Sequence, residues 1–171
     1  TGFMVGPVID ATGQVGYGAQ ALPTNFGEDH LLLKNSGSLL FHSGIDTPPG
    51  QISTNETWRL LLVQGFHVTP SGNHWLAKGR LHGGLDSDVL IYDGTVVMQI
   101  NNPIPGSSVP DNVADSTSGG IEWTSLDASG NWYATGEFQS GEKFAVRNGQ
   151  VIARGSTQIT PNIMEFWQDF Y

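Results

Sequence analysis

Short apolar segments separated by glycine-containing turns run along the chain, and three of them share one form. The three are residues 7–20 (PVIDATGQVGYGAQ), 67–79 (HVTPSGNHWLAKG) and 125–137 (SLDASGNWYATGE). Each has two apolar stretches joined by a tight turn that closes on glycine, which is typical of a β-hairpin. The anchor glycines, Gly13, Gly72 and Gly130, are 59 and 58 residues apart. The pattern therefore predicts three equivalent hairpins.

A second hairpin follows each of the first ones. The three copies are HLLLKNSGSLLFHSG (30–44), DVLIYDGTVVMQI (88–100) and KFAVRNGQVIARG (143–155). The Asp-Gly turn at Gly94 and the Asn-Gly turn at Gly149 supply the positive φ that a type I′ turn requires. Two hairpins in succession give four strands in each unit.

The repeated hairpins divide the chain into units of about 57 residues, roughly residues 1–50, 51–110 and 111–161. One such unit cannot bury its own sheet, whereas stacked neighbours can. We expect a single all-β repeat domain over residues 1–171 with three four-stranded, propeller-blade-like units. Because closed propellers typically have about four to eight blades, a threefold β-trefoil or β-prism is the alternative.

The last residues, 162–171 (NIMEFWQDFY), have two interpretations. They align with TWRLLL, where the first strand of the second unit begins, so they would complete the strand of the first unit or of a neighbouring molecule. Exposed sheet edges favour such pairing. The apolar residues also fall at helical spacing, and Asn162 with Glu165 matches a capping box, which favours a short terminal helix instead.

The first unit resembles the tandem repeats of secreted bacterial proteins that are frequent in planctomycetes. The matching positions are Pro7, Ile9, Asp10, Gly13, Val15 and Tyr17, followed by Gly44, Asp46, Pro48, Pro49 and Gly50. The third hairpin is similar to the Asp-x-x-Gly-Asn-x-Tyr hairpin of NHL-type propeller blades. The second unit departs from the pattern, since Thr69 and Pro70 replace the Asp-Ala pair. The resemblance implies propeller-like blades in an extracellular protein and carries over no catalytic residue.

The charge balance limits the partners. With 7 basic and 16 acidic residues, the formal net charge is −9. Nucleic acid is not expected as a partner, because neutralising phosphates needs clustered Lys and Arg. No membrane insertion is expected, because no apolar run approaches the ~20 residues of a membrane span. The absence of cysteine excludes disulfides, thiolate metal sites and thiol nucleophiles, and the composition favours a secreted or cell-surface protein.

Trp75 and Trp132 are the candidate ligand-binding residues. They follow the anchor glycine in the second and third units, where the first unit has Val15 and Gly16. A position that changes this much between repeats is not readily explained by a repeating core. An exposed indole there would stack on a glycan or a protein partner, although core burial is expected for most tryptophans.

Two clusters are candidate metal sites. Asp86 and Asp88 would supply the oxygen ligands that Ca²⁺ prefers, although Asp88 also suits the start of a strand. Neutral imidazoles ligate zinc or copper, and the second unit carries His67, His74 and His82. Of these metal ions, calcium is the only one retained as a candidate cofactor.

The hairpin turns have a sufficient structural explanation. Asp10 and Asp127 open turns closed by Gly13 and Gly130, where an Asp carboxylate accepts hydrogen bonds from the turn's own amides. Glycine is expected wherever a turn needs positive φ. The remaining turn glycines of this kind are Gly72, Gly94 and Gly149.

No catalytic motif stands out: there is no Gly-x-Ser-x-Gly after a strand, no Gly-x-Gly-x-x-Gly and no P-loop. The sequence favours a non-catalytic extracellular scaffold or binding module that self-assembles through its chain ends. Its expected partners are itself or adjacent repeats of the same type, a glycan or a protein. The alternatives are a structural subunit of an extracellular fibre, a propeller-type lyase or glycosidase, and a carbohydrate-binding lectin.

Overall fold

The computed structural model describes residues 4–9, 15–21, 29–34, 38–52, 55–83, 88–115, 117–155, 158–160 and 163–166. Over these residues every regular element is a β-strand, and no helix occurs. The all-β class predicted from the sequence is confirmed. Strands that follow one another along the chain pair as antiparallel neighbours, which gives three four-stranded meanders and one two-stranded hairpin.

The strands group by sheet as follows. Sheet I contains β1 (Met4–Ile9), β2 (Val15–Ala21), β3 (Asp29–Lys34) and β4 (Ser38–His42). Sheet II contains β5 (Trp58–Val68), β6 (Trp75–Leu81), β7 (Asp88–Tyr92) and β8 (Thr95–Gln99). Sheet III contains β9 (Ile121–Leu126), β10 (Trp132–Glu137), β11 (Lys143–Arg147) and β12 (Gln150–Arg154). The separate hairpin contains β13 (Gln158–Thr160) and β14 (Ile163–Phe166).

The terminal segment is extended where the structure describes it, since residues 163–166 form β14. The interpretation as a helix is therefore wrong for these residues. The partner of β14 is β13, with Thr160 opposite Ile163, whereas β1 pairs with β2. In the described pairing, β14 does not complete the strand of the first unit within the molecule. The other residues of 162–171 lie outside the described part of the chain.

Two apolar cores separate the three sheets. The I–II core consists of Phe41, Trp58, Leu61, Phe66, Trp75, Ala77, Leu81, Val89, Ile91 and Val96. The II–III core consists of Leu76, Leu90, Met98, Ile100, Ile104, Val113, Ile121, Trp132, Ala134, Phe138, Phe144 and Val146. Sheet II contributes to both cores, so it is covered on both faces.

Alternation along the strands of sheet II assigns each side chain to one core. On β6, Trp75 and Ala77 lie in the I–II core, whereas Leu76 lies in the II–III core. On β7, Ile91 and Leu90 divide in the same way. Successive side chains of a strand point to opposite faces, so a strand buried on both faces reads as a continuous apolar run. We call the face towards the preceding sheet the backward face and the other the forward face.

Sheet III repeats the backward face of sheet II position by position. Ala77 lies opposite Ile91 across β6 and β7, and Ala134 lies opposite Val146 across β10 and β11. Both pairs are buried, the first in the I–II core and the second in the II–III core. Trp75 and Trp132 lie two residues earlier in these strands and are buried in the same two cores. The two contacts between consecutive sheets are therefore built on one template.

Candidate functional site

The contact between consecutive sheets is where the functional candidates lie. Trp75 and Trp132 are only 6% and 5% exposed, because each indole fills the core behind its sheet. Trp75 packs against Phe41 and Phe66, with ring centroids 6.1 and 6.2 Å away. One of these tryptophans was predicted to stack on a ligand at the surface, and in the structure neither indole presents a face to solvent.

The backbones approach closely at two register-equivalent glycines of the second strands. A Cβ on Gly79 would lie 1.9 Å from the ring of Trp58. A Cβ on Gly136 would lie 1.9 Å from the carbonyl oxygen of Gly120. Gly79 lies opposite Val89, as Gly136 lies opposite Phe144. Glycine is required at both positions because a neighbouring group occupies the space that any side chain would need.

The hairpin turns of sheets II and III share one hydrogen bond, which is accepted by different side chains. The Asp127 carboxylate accepts from the backbone amides of Ser129 and Asn131 at 2.9 and 2.8 Å. In sheet II the Thr69 hydroxyl oxygen accepts from the amide of His74 at 3.1 Å. Thr69 therefore replaces the aspartate of the motif without loss of that acceptor. Hydrogen bonds from Asn131 hold the pKa of Asp127 below its ordinary value.

The turn glycines have the backbone conformation expected from the sequence. Gly72 and Gly130 have φ of 71° and 84°. In the second hairpins, φ is positive at both central residues, as a type I′ turn requires: Asp93 (46°), Gly94 (91°), Asn148 (48°) and Gly149 (83°). Asp10 and Gly13 lie outside the described residues.

The outer turns also fasten the first residue of the second strand. The Asp93 carboxylate accepts a hydrogen bond from the amide of Trp75 at 2.8 Å. The Asn148 side-chain oxygen accepts from the amide of Trp132 at 3.0 Å. Both tryptophans thus start from a fixed backbone position, which sets how each indole enters its core.

A polar cluster joins sheet II to the turn of sheet III. The Tyr92 hydroxyl donates to the carbonyl oxygen of Gly130 at 2.9 Å. His74 Nδ1 lies 3.0 Å from that hydroxyl and 2.6 Å from an Asp93 carboxylate oxygen. The His74 and Tyr92 rings are stacked, with centroids 5.7 Å apart. Burial, followed by the charge of Asp93, raises the pKa of Tyr92, so the phenol stays protonated as a donor.

Lys78 crosses from sheet II to the first strand of sheet III. Its ammonium group donates to the carbonyl oxygen of Ile121 and lies 3.4 Å from that of Glu122. Burial lowers the pKa of Lys78, partly offset by the nearby carboxylates of Asp88 and Glu122. The side chain serves as a polar link between two sheets.

Asp88, one half of the predicted calcium site, begins β7 and is 5% exposed. Its carboxylate forms an ion pair with Arg80 at 2.6 Å, so it does not lie in an open loop as a calcium ligand would. Asp86 lies outside the described residues. Among the described residues, no group of three metal-ligating side chains is brought together.

The three histidines of the second unit do not converge. His67 bonds the Thr124 hydroxyl at 3.0 Å, His82 lies 3.3 Å from the Ser43 hydroxyl, and His74 pairs with Asp93. Among the described residues they form no metal-binding group, because each imidazole has its own partner. Burial lowers the pKa of His67, which favours its neutral form.

The proline-containing loops fasten each sheet to the outer hairpin of the next. The Pro49 carbonyl oxygen, after sheet I, accepts a hydrogen bond from the amide of Val96 in β8 at 2.8 Å. The Pro105 carbonyl oxygen, after sheet II, lies 2.7 Å from where a Cβ of Gly149 would be. The loops after sheets I and II therefore both lie close to the outer hairpin of the following sheet.

Trp123 is a candidate that the repeat pattern did not single out. It is 64% exposed on β9, the first strand of sheet III. Its neighbour Ile121 is buried in the II–III core. A register shift in the pairing of β9 with β10 lies between Ala134 and Gly136, which separates the two residues. The exposed indole lies on an otherwise polar part of the strand and is available to a partner.

Comparison with protein-family models, with curated proteins and with solved structures gave no match. What the chain does is therefore inferred from its own residues and geometry. Over the described residues, no helix is long and apolar enough to cross a membrane.

Proposed function

We propose that this chain is a non-catalytic extracellular scaffold in which propeller-blade-like sheets are stacked face to face. One observation carries the proposal: sheets I and II, and sheets II and III, meet through contacts that repeat in register. A tryptophan at the start of the second strand fills each core, and a proline loop reaches each following hairpin. Repeated contacts of this kind are how repeat proteins extend a structure from one unit to the next.

The blade-like arrangement is favoured over a trefoil or a prism by the way the units meet. Each unit is a complete four-stranded meander, and the first strands of consecutive sheets are neighbours, β1 with β5 and β5 with β9. Propeller blades pack with their sheet faces together and their first strands side by side around a common axis. The low lysine content and the lack of cysteine support an extracellular location.

The polar groups support a structural role rather than catalysis. Tyr92, Lys78 and His67 each hydrogen-bond a group of sheet III, at Gly130, Ile121 and Thr124 respectively. A catalytic base needs a free face towards a substrate, whereas these side chains link one sheet to the next. These hydrogen bonds hold sheets II and III together.

Hydrogen exchange followed by mass spectrometry tests the scaffold. In a continuous stack, Trp132→Ala raises exchange in β6, β7, β10 and β11 together, because it opens the core that these strands share. Trp75→Ala should act on sheets I and II in the same way. The exposed Trp123→Ala, compared at a concentration at which the chain is monomeric, is the matched control and should leave exchange unchanged. Confinement of each effect to the mutated sheet, or turnover of a glycan that a point substitution abolishes, would contradict the proposal.

A further inference from the structure

Sheet II contacts sheet III through the side chains of its forward face. Sheet III has residues at the same register positions on its own forward face. Tyr133 and Thr135 on β10 correspond to Leu76 and Lys78 on β6, as their pairing with the third strands shows. Over the described residues, no further four-stranded sheet covers this face, and β14 pairs with β13. Sheet III therefore presents the surface from which the stack would continue.

Thr135 holds in sheet III the register position that Lys78 holds in sheet II. Its hydroxyl oxygen is buried and has no hydrogen-bond partner. The equivalent residue of sheet II, Lys78, donates to a carbonyl oxygen on the first strand of the next sheet. A buried polar group without a partner is costly, so the position that links sheet II to sheet III is left unsatisfied in sheet III.

The residues around Thr135 suit a further sheet. Trp123 lies on β9 in the irregular stretch opposite Thr135 and is 64% exposed. The Arg147 guanidinium lies over the Tyr133 ring, 5.8 Å from its centroid. Ser125 is exposed and lies opposite Tyr133, at the position where His67 of sheet II lies opposite Leu76. An exposed indole beside a flat aromatic and arginine surface is a composition typical of protein interfaces.

We infer that this face binds the first sheet of a second copy of the chain, an inference that rests on the proposed scaffold function. Sheet I is the suitable occupant because the backward faces of sheets II and III already fill the two cores. Pro7 lies three residues before Asp10, as Thr124 lies three residues before Asp127. In the sequence, Pro7 of β1 therefore takes the place of Thr124, the β9 residue that contacts sheet II.

The resulting contact joins different surfaces of the two copies. Such a head-to-tail contact gives a ring where the rotation between copies closes and a filament where it does not. In the contact between sheets II and III, His67 Nε2 lies 3.0 Å from Thr124 Oγ1. Ser125 corresponds to His67, and Pro7 corresponds to Thr124. The proposed contact therefore brings Ser125 of one copy beside Pro7 of the next.

Disulfide trapping tests this pairing directly, because the chain has no cysteine of its own. Ser125→Cys and Pro7→Cys variants are oxidised separately and as a mixture at equal concentration. We expect a disulfide-linked dimer of one of each, several-fold more abundant in the mixture than in either variant alone. Ser140→Cys, on an exposed loop position, is the matched control for Ser125→Cys. A yield no higher than with this control, or equal self-linking by Ser125→Cys, would overturn the inference.

Sedimentation velocity over a range of concentrations provides a second test that does not depend on substituting Pro7. The unsubstituted chain should gain mass as concentration rises. Ser125→Arg should abolish the gain, and Ser140→Arg should not. A mass that stays monomeric while hydrogen exchange reports an intact stack would refute the binding of a second copy and leave the scaffold proposal standing. Loss of the stack itself would contradict the scaffold proposal.

Discussion

Replacing Trp132 by alanine removes the side chain through which β10 enters the II–III core. The residue is 5% exposed, so the substitution removes an indole that is almost completely buried. An aromatic side chain of this size buries about 150–250 Å², and at ~25 cal/mol per Å² that area corresponds to roughly 4–6 kcal/mol. Measured losses for buried Trp→Ala changes are about 3–5 kcal/mol, because the cavity partly collapses.

Trp75→Ala should have the same effect on the I–II core. For a chain of this length, each kcal/mol lowers Tm by about 2–4 °C, so either substitution should lower Tm by roughly 6–20 °C. Trp123→Ala makes the same chemical change at a position that is 64% exposed. It should alter the free energy of unfolding by no more than about 0.5 kcal/mol.

Urea unfolding followed by far-ultraviolet circular dichroism measures all three variants with one signal that reports mainly on the backbone. The midpoint should fall for Trp75→Ala and Trp132→Ala and stay constant for Trp123→Ala, with unchanged dependence on urea. A loss below about 1 kcal/mol at Trp132 would show that its indole is not buried between sheets. Equal losses at Trp123 and Trp132 would refute the assignment of the two faces of sheet III.

Two further predictions concern close approach and protonation. Gly79→Ala should unfold at a much lower temperature than Gly106→Ala, because its Cβ would lie 1.9 Å from the ring of Trp58. A Cβ on Gly106 meets nothing within 4 Å and adds only the strain of a residue at φ 79°, about 1–2 kcal/mol; a melting comparison with equal losses contradicts this. His67 has its pKa lowered from 6.5 by burial, so the unfolded chain binds the proton first and stability falls as pH drops below 6.5. His67→Gln should remove that part of the decline, and parallel pH profiles for both proteins would contradict the burial argument.

The hairpins were predictable from the sequence because their causes are local. Asp93-Gly94 and Asn148-Gly149 adopt positive φ at both central residues, and short side chains or none are what that conformation demands. The same holds for Gly72 and its turn. The all-β class follows from these turns and the short apolar runs between them.

The faces of the strands were not predictable in the same way. Trp75 and Leu76 are both buried, and the apolar run on β7 was a usable signal that sheet II is covered on both faces. On β9, strict alternation would place Ile121 and Trp123 on one face. The register shift opposite them separates the two, because a bulge changes which side a residue faces. Whether an indole is buried or exposed thus depends on the register of strand pairing, which the repeat pattern in the sequence does not specify.

The candidate metal and ligand residues show the same limit. His67 and His74 flank one turn in the sequence, yet they point to different partners on sheet III and β7. Asp88 looks like a loop carboxylate but closes an ion pair with Arg80. Partners on distant strands decide these roles, and a single sequence does not reveal them. In the second and third units the tryptophan, glycine and turn positions recur, which is why their similarity was visible in the sequence.

The ion pairs on the forward faces contribute little to the stability of the contact between two sheets. They bear instead on which sheet binds next. Arg80 lies opposite Asp88 in sheet II, and Glu137 lies opposite Lys143 in sheet III, so the pair is kept while its direction is reversed. A partly exposed ion pair contributes only about 0–1 kcal/mol, far less than a buried tryptophan. The binding energy therefore lies in the tryptophan and glycine positions. In the proposed scaffold, the polar positions, which differ between sheets II and III, would set the electrostatic complement that a following sheet must match.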